Sequence, residues 1–442
     1  MTIDGATVTV DEGGTYVVRG TLEDGQILVD VGDDDVTLVL DGVDITHADG
    51  AAVAVMAADE ALVLLADGST NRLADGATYV FADPEVDEPN ATLYSAADLV
   101  IGGSGALEVV AAHNDGIASK DDLVIADGLI RVSAVDDGVR GKDSVIVSGG
   151  GLVIDAGGDG IKADNDEDPD RGYVVVADGA LAVTAGDDAI QAATSVTIDG
   201  GSLELAAGDD GIHGDLRVTV NGGSLTISEA FEGIEAEVIE INDGRIDVTS
   251  DDDGLNATSA EASTVADATV DDRGGRPGGR APEVVGEHYV YINGGTISIT
   301  TTGALAEQGD GIDANGHIVM TGGVVSISGA TDTRNSALDY SGGTFEMQGG
   351  VLIGTNIDGR NSQGIGVGST QPSLYVSTGG VVPAGTVVQV VSSDGESLVT
   401  FEPANDFDLI VFSSPDLVEG EAYEIRLGAG AGESLGTVTA SR

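Results

Sequence analysis

Apolar and polar residues alternate in short runs along this chain, and the alternation restarts every twenty-odd residues. Ser202-Leu203-Glu204-Leu205, Ser224-Leu225-Thr226-Ile227 and Thr296-Ile297-Ser298-Ile299 place every second side chain on one face, the period of a half-buried β-strand. A turn with paired glycines comes just before each run, as in Val147-Ser148-Gly149-Gly150, Ile198-Asp199-Gly200-Gly201, Ile292-Asn293-Gly294-Gly295 and Met320-Thr321-Gly322-Gly323. A second mark is an acid, a glycine and an apolar residue. It reads Asn114-Asp115-Gly116-Ile117, Asp136-Asp137-Gly138-Val139, Gly158-Asp159-Gly160-Ile161, Asp187-Asp188-Ala189-Ile190 and Asp209-Asp210-Gly211-Ile212, and it returns around Gly233, Gly254 and Gly311 and, degenerately, at Ala337. Successive marks are 22, 22, 29, 22, 22, 21, 57 and 26 residues apart. No segment sustains a helical period with caps.

A unit of this length is too short for a strand–helix–strand crossover. It holds three short strands and three turns, which is one coil of a right-handed parallel β-helix with coils stacked about 4.8 Å apart. Inward positions then form apolar columns such as Val145/Val147, Val196/Ile198 and Val218/Val220. A leucine-rich repeat has a similar period, but its L-x-x-L-x-L pattern does not recur here. The predicted organisation is an N-terminal cap with the first coils over 1–95, the β-helix over 96–371 and a C-terminal β cap over 372–442, because the open ends of a solenoid need atypical units. Two insertions break the period. One is Asp164–Asp170. The other, near 258–288, is polar, rich in Gly and Pro, and predicted to be a disordered loop.

Composition narrows the function. The chain has 442 residues, 77 acids against 17 bases, and a net charge of −60. Such a surface excludes nucleic acid, whose phosphates need basic residues, and is ill suited to anionic membranes. No run of about 18 apolar residues is present, so no membrane insertion is expected. Cysteine is absent, which removes disulfides and zinc–thiolate sites. The opening MTIDGATVTV lacks a basic and then apolar leader, so either a signal has been removed or the protein is cytosolic. A monomer is expected.

Stacking turns the acidic mark into a ladder. Asp115, Asp137, Asp159, Asp188 and Asp210 fall in one column, with Asp136, Asp187 and Asp209 beside them. Carboxylates about 5 Å apart repel by roughly 1 kcal/mol or more per pair, so the ladder needs cations, turn amides or raised pKa values. Calcium suits it, because it takes six to eight oxygens. Asp164, Asp166 and Asp168 are spaced like the start of a calcium loop and join the candidate ligands. The chain has only three lysines, Lys120, Lys142 and Lys162, all in consecutive coils beside the ladder, with Arg140 among them. These four are the candidate contacts to an acidic sugar. The histidines show no metal-like spacing, and no nucleophilic triad is visible.

These repeats resemble a family of secreted carbohydrate-binding-domain proteins with a right-handed parallel β-helix. The likeness is carried by Asp41-Gly42-Val43-Asp44-Ile45, Glu88-Pro89-Asn90-Ala91, the segments from Asn114 to Leu123 and from Asp136 to Asp143, Gly160 to Asp166, and Ser413-Ser414-Pro415-Asp416-Leu417. It implies calcium, a pectin-like (polygalacturonate) or cellulosic partner, an extracellular or cell-surface location and no catalysis, since the family is similar to calcium-dependent pectate lyases in fold only. Two other functions fit the residues: a lyase with Lys142 or Lys162 as base, and a purely structural surface protein. The ladder itself disfavours the lyase, because a field of Asp raises a lysine's pKa whereas a base needs it lowered.

Overall fold

A computed structural model describes residues 1–81, 88–259, 287–303, 309–340, 342–359, 362–430 and 432–442. The insertion predicted near 258–288 lies almost wholly outside them. Every regular element of length is a β-strand, with no helix among the described residues, and the fold is a parallel β-solenoid. The chain divides into two compact units, Met1–Gly214 and Asp215–Arg442.

In the first unit each coil contributes a strand to three parallel faces. One face stacks Ala91–Ser95, Asp115–Ser119, Val139–Gly141, Ile161–Ala163 and Ile190–Ala192. The second stacks Asp98–Gly102, Asp122–Ile125, Ser144–Val147, Tyr173–Val176 and Ser195–Ile198. The third stacks Thr70–Asp75, Ala106–Val110, Leu129–Ala134, Gly151–Ala156, Ala180–Ala185 and Ser202–Ala206. Register is residue-on-residue, so like sits on like: Leu93, Ile117, Val139, Ile161 and Ile190 form one column, all fully buried. Each such side chain contributes about 1.5–3 kcal/mol by leaving water.

The glycine of the acidic mark is required by space. A Cβ on Gly138 would sit 2.4 Å from Ile154 Cγ2 and 2.7 Å from the Gly160 carbonyl oxygen. In the paired glycines the second has a left-handed backbone, as at Gly150 (φ +83°) and Gly201 (φ +88°), where a side chain is strained.

The N-terminal segment, expected to hold a cap and the first coils, carries parallel coils almost from its start. Parallel stacking already begins at Thr7–Val10 on Gln26–Asp30 and continues through Val53–Ala57 to Ala91–Ser95. Only Thr2–Asp4 pairs antiparallel.

In the second unit the same three faces recur. Within this unit Ile234–Ile241, Leu255–Ala257, Ile312–Ala314 and Leu338–Asp339 stack on one another in parallel. The third ends at Val351–Asn356, where Phe407–Ser413 pairs antiparallel. A separate four-stranded antiparallel sheet follows, ordered Ser397–Phe401, Val388–Val391, Ala422–Leu427, Glu433–Thr439. Its apolar face packs Val388, Val390, Tyr423 and Ile425 with Leu374, Phe407 and Phe412.

Candidate functional site

The acidic ladder is an internal structure in the first unit. Asp115, Asp137, Asp159, Asp188 and Asp210 are all buried. From Asp137 onward the backbone N–H of each donates to Oδ1 of the preceding rung, Asp137 to Asp115 at 3.3 Å, Asp159 to Asp137 at 3.0 Å, Asp188 to Asp159 at 2.9 Å and Asp210 to Asp188 at 2.9 Å. One oxygen of each of the first four carboxylates is thus spent on an amide. Burial, then the charge of Asp137, pushes Asp115 up to about 7, and burial pushes Asp137 up to about 6 against the pull of Lys162. Burial and the neighbouring Asp210 also raise Asp188.

The second oxygens face a column three residues further on. Register puts Ala118, Arg140, Lys162 and Gln191 in that column, with His213 after them. Lys162 Nζ lies 2.5 Å from Asp159 Oδ2 and 3.5 Å from Asp137 Oδ2. Arg140 lies 3.5 Å from Asp115 Oδ2 and also grips Asp164. His213 Nδ1 is 2.8 Å from Asp210 Oδ2. Burial opposes charge on Lys162, but its bond to Asp159 and the charges of Asp137 and Asp159 win and hold its amine protonated well above the usual range. It cannot serve as a general base near neutral pH.

Lys120 and Lys142 occupy a different column, one residue past the register pair Ser119 and Gly141. They line a cavity of about 280 Å³ with Arg140, Glu88, Asn90, Tyr94, Ala118, Ser119 and Asp164. Lys120 pairs with Glu88, and the Tyr94 hydroxyl donates to the other Glu88 oxygen at 3.1 Å. Half-buried Lys142 has no ion-pair partner among the described residues. The cavity therefore offers one uncommitted ammonium, one ammonium on a single carboxylate, a guanidinium edge and amide and phenol groups. That set can bind a carboxylate-bearing, hydroxyl-rich ligand.

The remaining candidates are dispersed. Asp136, Asp187 and Asp209 are exposed. Asp164, Asp166 and Asp168 do not converge as a calcium loop: Asp164 serves Arg140, Asp166 is exposed, and Asp168 accepts from the Asp170 amide and lies 3.6 Å from Arg171. The turn is organised by Asn165, whose Oδ1 accepts from the Glu167 and Asp168 amides at 3.1 Å each.

Sequence spacing missed two things. His213 does join a possible metal cluster, with Asp188 and Asp210 offering atoms within 4.8 Å of it and one another; a separation of 22 residues gives no local signal, yet stacking abolishes it. Glu88, Asn90 and Tyr94 were not assigned to the site, because their coil carries no acidic mark. Elsewhere the rings of Tyr289 and Tyr291 stack at 5.2 Å, and the Tyr289 and His317 rings lie 5.0 Å apart.

The second unit has its own acidic cluster, with single oxygens of Asp310, Asp313 and Asp339 within 4.8 Å of one another. Asp253 lies in the ladder column behind them, and its Oδ1 accepts from the Asp310 amide.

Fold and cavity together define a solenoid with a polar, cation-lined cavity in its first unit. The chain belongs to the family described as carbohydrate-binding domain-containing protein, which matches residues 4–254 and 204–358. A carbohydrate-binding domain-containing protein of Acetivibrio thermocellus is 41% identical over 133 residues, 30% of this chain and 46% of that relative, so the match spans about half of the relative's length. Among solved structures, the polysaccharide lyase-like protein from C. thermocellum, as a gadolinium derivative, is 38% identical, with a TM-score of 0.47 over 54% of this chain and 89% of that one.

Proposed function

We propose that this protein binds an acidic polysaccharide, of the polygalacturonate class, in the cavity lined by Lys120, Arg140 and Lys142. The observation that carries the reading is the placement of Lys120 and Lys142, two of the three lysines of a −60 chain, in one cavity. Surface screening makes isolated charges weak, but a half-enclosed ammonium beside an amide and a phenol can hold a uronate carboxylate with charge-assisted hydrogen bonds. Family membership supports a carbohydrate partner, and the composition suits a location outside the cell. The reading is of a binder, supported by the family and by Lys162, one of the two candidate bases, which its own carboxylates hold protonated.

The test is affinity electrophoresis on polygalacturonate and on a neutral glucan, with and without chelator. Lys162 is excluded from the variant because it supports the ladder. Lys120→Ala/Lys142→Ala should weaken polygalacturonate binding at least tenfold and leave any neutral-glucan binding unchanged. Retention of both sugars by the double variant would reject the cavity. Loss of wild-type binding in chelator would show that an ion bridges sugar and protein; persistence would assign the contact to the lysines alone.

A further inference from the structure

The cavity that holds Lys120 and Lys142 already contains a carboxylate. Its floor is set by register: Tyr94, Ala118 and Arg140 follow one another in successive coils, and the small Ala118 between two long side chains lines the hollow. Glu88 enters from outside the strands, in the stretch that leads into Ala91–Ser95. Its Oε1 pairs with the Lys120 ammonium, and its Oε2 accepts from the Tyr94 hydroxyl at 3.1 Å. An ammonium on one oxygen and a hydroxyl on the other is the grip that the carboxylate of an acidic sugar would need.

The cations of the cavity differ in how firmly they are engaged. Arg140 is tied to Asp164 on the wall and also faces the buried ladder acid Asp115, so its partners belong to the fold. Lys120 has Glu88 as its one ion-pair partner among the described residues, and the two side chains are 45% and 34% exposed. A solvent-facing pair of this kind is weak, and it can open without disturbing the buried columns. Lys142, beside it, is uncommitted.

We propose that Glu88 is a tethered competitor for the ligand's carboxylate, and that Lys120 becomes available only when a uronate displaces it. This rests on the reading of the cavity as a uronate site. A site that is competent for part of the time binds more weakly in proportion to that fraction. Glu88 thereby sets a threshold. A free uronate carboxylate carries the charge needed to take over Lys120, whereas a methyl-esterified one does not. The site therefore selects de-esterified polyuronate, with Lys142 as the first contact and Lys120 as the second.

The experiment is affinity electrophoresis of the full chain and its Glu88→Gln variant on polygalacturonate and on the same polymer highly methyl-esterified. Acetylation of the lysines by acetic anhydride, read by peptide mass spectrometry without sugar, runs alongside. Glu88→Gln keeps the shape of the side chain and removes its charge. It should tighten polygalacturonate binding roughly threefold or more, the scale of a solvent-facing ion pair. It should leave retention by the esterified polymer unchanged, and speed acetylation of Lys120 but not of Lys142. Glu204→Gln removes the same charge from an exposed position on the third face and should change none of these. The inference is overturned if Glu88→Gln binds polygalacturonate no better than Glu204→Gln, or more weakly than wild type, which would make Glu88 a residue that positions Lys120. An equal gain on the esterified polymer overturns it too, since relief of bulk or of net charge would then suffice. Faster Lys120 acetylation with no polygalacturonate binding by wild type or variant would instead reject the uronate reading of the cavity, and the inference with it.

Discussion

One residue type can do opposite things in this chain according to its neighbour three positions on. Asp159 is paired with Lys162; Asp115, with Arg140 no nearer than 3.5 Å and one oxygen lacking any hydrogen bond, is pushed up to about 7 by burial and then by Asp137. The sign of the pH dependence follows. An unfolded Asp titrates near 4, so the native state holds more protons than the unfolded one between about pH 4 and 7. Stability should therefore rise as pH falls from 8 to 5, by about 2–4 kcal/mol from Asp115 and Asp137 together, and this gain is absent above their folded values. Urea unfolding in chelator at the two pH values checks it; equal or lower stability at pH 5 refutes the assignment. Space is the other residue-scale constraint. Gly138→Ala forces a methyl to within 2.4 Å of Ile154 Cγ2, and should cost about 1–3 kcal/mol, read as a lowered urea midpoint. The Asp-Gly-Ile mark was legible in sequence, but the reason for its glycine, a neighbour on the next coil, was not.

At the scale of the element, strands and turns were readable because period two and paired glycines are local signals. The first coils were harder to see. Ala91 stands in register with Asp115, so the ladder position there is a buried alanine and the acidic mark vanishes while the coil persists. Stacked turns also carry a polar ladder that no local pattern reveals. Asn242 Nδ2 donates to Asn221 Oδ1 at 2.9 Å, Asn293 Nδ2 to Asn242 Oδ1 at 2.9 Å, and the Thr321 hydroxyl to Asn293 Oδ1 at 2.8 Å. Asn242→Ala removes the middle of this run. Because the turn is exposed, water replaces part of the loss, and about 1 kcal/mol is the expected cost, measurable by chemical denaturation; a change below 0.3 kcal/mol would make the ladder incidental. The site residues were half legible for the same reason. The lysines stood out by rarity, whereas Glu88, Asn90 and Tyr94 enter the cavity only through stacking.

Over the whole molecule, 77 acids against 17 bases make charge a dominant condition of stability. Repulsion among exposed carboxylates is screened by salt, so the melting temperature in chelator should climb when NaCl goes from low to physiological strength and beyond. A falling melting temperature would mean that ion pairs such as Lys162–Asp159 outweigh the repulsion. The aspartate ladder has a further consequence, because it has a direction. In every rung of the first unit the carboxylate belongs to the earlier coil and the amide to the later one. A chain leaving the ribosome thus presents each finished coil's acceptor before the donor that needs it has been made. Growth from the N-terminus meets a ready template at each step, whereas a coil formed first at the far end would bury its amide with no carboxylate to receive it. Ribosome-bound chains of increasing length should gain protease resistance one coil at a time, in order from the N-terminus; resistance that appears only when the chain is complete would show that the ladder does not guide its own assembly.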